Sequence, residues 1–229
     1  MKKIIITALA IAITTFSYAQ RITKLIFTNQ CSSMTISVLL NENVTLKISP
    51  DGAIAEWGVD LYADRGQNNY IEHPLKPYEG RVEQYGQYDN EAFRGKLKYI
   101  GNNQITYYGS YEDKSLVGKI KSIGGLKFSY YTVYDDALMA GKIKSAGDLN
   151  FSFYNQFDND AYKGKIKSTG AANFTYYSSF DDKAFAGKIK SLNGQPFVYY
   201  SSVEQQQFRG ALKSGNMLQI IGGITYWIR

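Results

Sequence analysis

Apolar and polar positions fall into short runs separated by turn residues, and from Gly95 onward the same run returns every 23 residues. The units open GKLKYIG at Gly95, GKIKSIG at Gly118, GKIKSAG at Gly141, GKIKSTG at Gly164 and GKIKSLN at Gly187, and GALKSG at Gly210 begins a further unit that diverges. Full units cover residues 95–209, while Arg81–Arg94 resembles the second half of one. Each unit has two strand-like stretches, K-I-K-S and F-x-Y-Y, rich in the β-branched and aromatic types that suit a pleated surface. Between them stand Gly101-Asn102, Gly124-Gly125, Gly147-Asp148, Gly170-Ala171 and Asn193-Gly194, pairs that tolerate the positive φ of a two-residue hairpin turn. A longer connection carries Glu112-Asp113, Asp135-Asp136, Asp158-Asn159 or Asp181-Asp182, followed by Leu116, Met139, Tyr162 or Phe185. The pattern predicts an all-β antiparallel β-hairpin repeat array, an extended meander sheet. A β-solenoid is the alternative, disfavoured because stacked coils would pile the repeat lysines into like-charge columns.

The period is odd and strand side chains alternate, so identical units present identical faces only with a bulge or an odd connection. With a two-residue Gly turn, the acidic connection is expected to supply the odd count. That register places Lys121 opposite Phe128 and Lys119 opposite Tyr130 on one face, with Lys144 beside Tyr130 of the preceding unit. Lysine stems then lie across aromatic rings.

Outside the array, Met34–Leu40 and Val44–Ile48 flank Asn41-Glu42-Asn43 as a hairpin, and Ser49-Pro50-Asp51-Gly52 is a turn before the strand-like Ala53–Trp57. Leu61 to Tyr78 reads as a long loop. Leu218–Ile221, Gly222-Gly223 and Ile224–Ile228 form a last hairpin, expected to close the array's sheet. The organisation is thus an N-terminal β region and loop (20–80), the array (81–213) and a capping hairpin (214–229). Residues 1–19 read as an export signal: Lys2-Lys3, an apolar run from Ile4 to Ile13, then Ser17-Tyr18-Ala19 before Gln20. Cleavage near Ala19-Gln20 would deliver the chain to the periplasm, the cell envelope or the medium.

Composition narrows the chemistry. Tyr and Phe number 20 and 12 in 229 residues, against one His and one Cys. A lone Cys excludes an internal disulfide framework, and this pair cannot supply a Cys/His zinc cluster. The formal charge of +6 is uneven, since residues 20–94 are net acidic and residues 95–210 net basic. For an exported chain this points to an anionic glycan, a lipid headgroup or a protein surface as partner, and not to nucleic acid.

The period of 23, the recurring Gly and the paired aromatics on a hairpin resemble MORN-type repeats, although Gly-x-Gly with Tyr-x-Gly-x-Trp is absent. The GKIKS…YY…DD array is also similar to uncharacterised secreted tyrosine-rich bacterial repeat proteins. The first resemblance, over residues 81–213, implies an extended single-layer sheet used for protein or lipid contact; the second implies no known activity.

The candidate binding surface is the lysine and aromatic ladder: Lys119, Lys121, Lys142, Lys144, Lys165, Lys167, Lys188 and Lys190 with Tyr130, Tyr176, Tyr199, Phe128, Phe151 and Phe174. The expected function is non-enzymatic presentation of this surface to an extracellular or envelope partner. A self-associating structural module is the alternative, followed by an outer-membrane barrel or a secreted carbohydrate-active enzyme. No catalytic, metal or cofactor residue is expected. The Asp pairs sit one per turn, which suits turn formation and neutralisation of lysines better than calcium. His73 reads as a solvent-exposed loop residue and Cys31 as an inert thiol.

Overall fold

A computed structural model describes residues 20–28, 33–62 and 73–229. The export segment, Cys31, Glu72 and the Gly66 to Asn69 part of the expected loop lie outside these residues. The protein is all-β, with two large sheets packed face to face and a two-stranded pair that follows the longer one.

The repeat sheet has eleven strands in strict sequence order. It starts with β5 (Val82–Gln84), β6 (Leu97–Ile100), β7 (Asn103–Tyr107), β8 (Ile120–Ile123), β9 (Leu126–Tyr130) and β10 (Ile143–Ala146). It continues through β11 (Leu149–Phe153), β12 (Ile166–Thr169), β13 (Ala172–Tyr176), β14 (Ile189–Leu192) and β15 (Gln195–Pro196). Pro196 has no N–H for the ladder, so this last strand breaks and resumes as β16 (Val198–Tyr199), paired with β17 (Leu212–Ser214). Every neighbouring pair is antiparallel and the sheet is an open meander, not a solenoid or a closed barrel. Each lysine column is therefore interrupted by an intervening strand, which relieves the repulsion a solenoid would impose. The Gly pairs form the predicted hairpins, as in Ile123↔Leu126 across Gly124-Gly125.

The register departs from expectation in where the odd residue sits. From Tyr130 to Ile143 the connection holds twelve residues, an even number. The odd count comes instead from a β-bulge at the second lysine: Thr106 pairs with Ser122 and Tyr107 with Ile120, leaving Lys121 unpaired between them. Lys144, Lys167 and Lys190 sit in equivalent shifts. The bulge turns Ile120 and Ile123 to the same face while Lys121 points to the other, so both apolar positions of I-K-S-x are buried. Phe128 and Tyr130 join them on that inner face.

The second sheet holds β1 (Arg21–Phe27), β2 (Met34–Leu39), β3 (Val44–Ile48) and β4 (Ile54–Val59), with β18 (Leu218–Ile221) and β19 (Ile224–Ile228) on the other side of β1. The 41–43 turn joins β2 to β3 as predicted. The C-terminal hairpin does not close the array: β19 runs parallel to β1, with Leu25 beside Tyr226. Its continuous ITYWI run is buried along four positions, the mark of a strand covered on both faces rather than an exposed cap.

This sheet lies over the inner face of the array, which is therefore not a single layer. Phe27 packs on Phe174 at 4.9 Å between ring centroids, and Tyr226 Oη donates to the Thr169 carbonyl at 3.1 Å. The Pro50–Gly52 turn accepts from the Ile143 and Ile120 backbone N–H groups, each at 3.1 Å. Of the long loop, Lys76 exchanges two backbone hydrogen bonds with Val59, and His73 stacks on Tyr62 at 4.2 Å rather than standing free in solvent.

Candidate binding surface

The bulge divides the predicted ladder into three populations. Phe128, Phe151, Phe174, Tyr130, Tyr176 and Tyr199 all lie in the core between the sheets, so the aromatic half of the expected surface is not at the surface. The alternation that was to put them beside Lys121 is broken by the residue the bulge inserts. Their burial is structural: a large apolar side chain removed from water contributes roughly 1.5–3 kcal/mol. Tyr130 Oη donates to the Ile120 carbonyl at 2.9 Å, and burial pushes its hydroxyl far above the ordinary tyrosine range.

The first lysine of each unit binds the next unit. The Lys96 and Lys142 ammonium groups donate to the Gly118 and Gly164 carbonyls at 2.5 and 2.6 Å, and Lys165 and Lys188 do the same to Gly187 and Gly210. Lys119 is diverted to the Asp51 carbonyl of the covering sheet at 2.6 Å. Each ammonium also lies 5.0–5.5 Å from an aromatic centroid, Lys119 over Tyr130 and Lys142 over Phe153 among them. Desolvation lowers Lys96, Lys119, Lys142 and Lys188 from the ordinary lysine value. These side chains are committed to the array.

From Lys121 onward the second lysine of each unit faces out, whereas Lys98 of the first unit is half-buried. Lys121, Lys144, Lys167, Lys190 and Lys213 are exposed and lie over Tyr108, Tyr131, Tyr154, Tyr177 and Tyr200 at 5.1–5.5 Å. Lysines do lie over aromatic rings, but only Lys119 keeps its expected ring, Tyr130; Lys121 lies over Tyr108 rather than Phe128, and Lys144 over Tyr131 rather than Tyr130. Lys121 pairs with Glu112 at 2.9 Å, which raises the lysine, and Lys144 pairs with Asp135 at 3.0 Å. Asp135 is held below the usual carboxylate range, first by the Thr132 backbone N–H and then by Lys144. The acidic turns thus neutralise lysines as the sequence suggested. Among the described residues, no group of three His, Cys, Asp or Glu could hold a metal ion.

Three repeating features were not legible in the sequence. The second tyrosine of F-x-Y-Y reaches across the junction between units: Tyr85, Tyr108, Tyr131, Tyr154 and Tyr177 donate to the carbonyls of Ile105, Phe128, Phe151, Phe174 and Phe197 at 2.8–2.9 Å. On the outer face Thr106–Ser122, Ser129–Ser145, Ser152–Ser168 and Thr175–Ser191 join hydroxyls across the strands at 2.6–2.7 Å, which explains the Ser of K-I-K-S. The third feature is at the loop tips. Tyr88, Tyr111, Tyr134, Phe157 and Phe180 are 88–99% exposed, one per unit at the repeat step, and Val203 takes the same place in the last unit. Their sequence signal is the aromatic residue that precedes the acidic residue of each turn.

No family model, curated protein or solved structure matches the chain.

Proposed function

We propose that this chain is an exported, non-enzymatic β-repeat protein that engages an anionic partner in the extracellular space or cell envelope through the outer face of its repeat sheet. The observation that supports this reading is the second lysine column. Its ammonium groups recur along one face, each exposed and set over a tyrosine ring, and two of them, Lys121 and Lys144, also carry a carboxylate partner while remaining half exposed. A regular line of fixed cations suits attraction to a charged polymer or surface, whereas acid–base catalysis needs one irregular constellation of groups. The first lysine column contributes to the array itself and not to the partner.

The test is retention of the chain on immobilised heparin through a salt gradient. Changing Lys121, Lys144, Lys167 and Lys190 to Gln together removes four exposed charges, worth about 0.5 kcal/mol each toward an anion, so affinity falls more than tenfold. Retention that is insensitive to salt, or unchanged in this variant, refutes the reading.

A further inference from the structure

We propose that the loop-tip rings Tyr88, Tyr111, Tyr134, Phe157 and Phe180 form a rail that binds an extended, uncharged polysaccharide. These side chains are distinct from the lysine column, and the inference does not rest on the anionic-partner reading.

The rings sit at the corner of a repeated tight turn. Asp135 N–H donates to the Thr132 carbonyl at 3.2 Å, and Asp135 Oδ2 accepts from the Thr132 N–H at 2.8 Å, leaving Val133 and Tyr134 as the two corner residues. The same backbone bond recurs from Asp89 to Gly86, Glu112 to Gly109, Asp158 to Asn155 and Asp181 to Ser178. Turn corners favour Gly, Asn, Asp and Ser, and nothing in this backbone calls for an aromatic residue there. Each loop has a second apolar residue that does serve packing: Phe93, Tyr162 and Phe185 lie 4.6–4.7 Å from Tyr85, Tyr154 and Tyr177. Two apolar residues per loop therefore have opposite fates, and only one of them has a structural reason.

The tips are also held in place. Asn90 accepts from the Ser110 hydroxyl at 2.6 Å, Asn159 exchanges two bonds with Ser179 at 2.9 and 3.0 Å, and Asp182 accepts twice from Ser202 at 2.9 Å. The Tyr88 loop is thereby laced to the Tyr111 loop, the Phe157 loop to the Phe180 loop and the Phe180 loop to the Val203 loop, which orders the backbone carrying those tips before any ligand arrives.

Spacing and charge select the ligand. Equivalent residues are two strands apart, so a ring recurs about every 10 Å along the sheet, and the sheet's twist fans the tips somewhat wider. Only a partner whose own chemistry repeats can meet every ring, and this step is of the order of a disaccharide in an extended β-linked glycan. Aromatic faces stack on the C–H faces of sugar rings, which carry no charge. A carboxylate follows every ring, at Asp89, Glu112, Asp135, Asp158 and Asp181, which disfavours a polyanion or an anionic membrane at the tips. Those at Glu112 and Asp135 are balanced by Lys121 and Lys144, leaving hydrogen-bonding groups for hydroxyls beside the rings.

The test uses the chain without residues 1–19, sedimented with microcrystalline cellulose, chitin and curdlan at low and high salt. Retention on at least one of the three, undiminished by salt, is expected. Tyr111→Ser, Tyr134→Ser and Phe157→Ser each weaken it roughly fivefold and the triple variant more than a hundredfold, since the contacts act together along one ligand. Because these side chains are almost fully exposed, the melting temperature is unchanged, and changing Lys167 and Lys190 to Gln, away from the ion pairs beside the rings, leaves the neutral-glycan retention intact. Retention on none of the three glycans, or retention equal in the triple variant, overturns the rail. So does finding that the triple change abolishes binding to phosphatidylglycerol vesicles or self-association by light scattering instead. Heparin retention and its lysine dependence are read separately, so either reading can fail alone.

Discussion

Replacing Tyr131, Tyr154 and Tyr177 together by Phe tests what holds one repeat to the next. Each change keeps the ring, and with it the cation–π contact to Lys144, Lys167 or Lys190, and deletes only the hydroxyl that donates to a carbonyl of the following unit at 2.8–2.9 Å. A neutral hydrogen bond contributes about 1 kcal/mol net. The three junctions share no partner, so the losses add, as expected of an array whose stability is a sum of units and nearest-neighbour interfaces. The expected loss is about 3 kcal/mol, which for a chain of this length lowers Tm by about 6–12 °C. Urea denaturation followed by tyrosine fluorescence gives the free energy, and the three single variants give the additivity. A triple variant within about 0.5 kcal/mol of the parent would refute the reasoning, because water would then serve those hydroxyls as well as the carbonyls do.

Two further outcomes follow from the same geometry. Gly187 has φ +76°, and an added Cβ would lie 2.6 Å from the Ala161 carbonyl of the preceding unit, whereas Gly95 has φ +77° with open space around it. Gly95→Ala therefore costs about 1–2 kcal/mol for the left-handed backbone alone, and Gly187→Ala costs measurably more; equal losses by chemical denaturation would contradict the close approach of the units. Burial raises Tyr85, Tyr107, Tyr108, Tyr130, Tyr131, Tyr154, Tyr177 and Tyr226 above 10.0, so above that pH the unfolded chain releases protons the native chain keeps, and stability falls. The lowered Lys96, Lys119, Lys142 and Lys188 act oppositely, with stability rising between their native values and 10.5, but they are half as many. The net expectation is a denaturation midpoint that drops from about pH 10 upward, with tyrosinate absorbance appearing only as the chain unfolds; a midpoint constant to about pH 11 would sink it.

The strand content, the hairpin turns and the meander were legible because each is local: a Gly pair with positive φ between aromatic and β-branched runs admits few backbones. The facing of the side chains was not. I-K-S-x fits an alternating strand as well as a bulged one, and only burial of both Ile120 and Ile123 against a second sheet selects the bulge. That choice reversed the fate of Phe128, Phe151 and Phe174, from binding surface to core. The pairing of β19 with β1 was hidden for another reason: no local pattern in ITYWI names a partner near the opposite end of the chain. The lysines were half legible, because two identical residues spaced two apart serve as interunit tie and outer surface only after the bulge separates them.

The parallel pairing of β1 with β19 also governs the order of folding. Local hairpins of the array can form as soon as each 23-residue segment is available, since their contacts are close in sequence. The sheet that covers their aromatic inner face cannot be completed until Ile224–Ile228 arrives beside Arg21–Phe27, a contact spanning nearly the whole described chain. In the interval the half-finished sheet lacks Tyr226, which completes the cover over Phe174 and Thr169. The slow, aggregation-exposed step is therefore the last one, and a chaperone acting on this chain would have the uncovered inner face as its target.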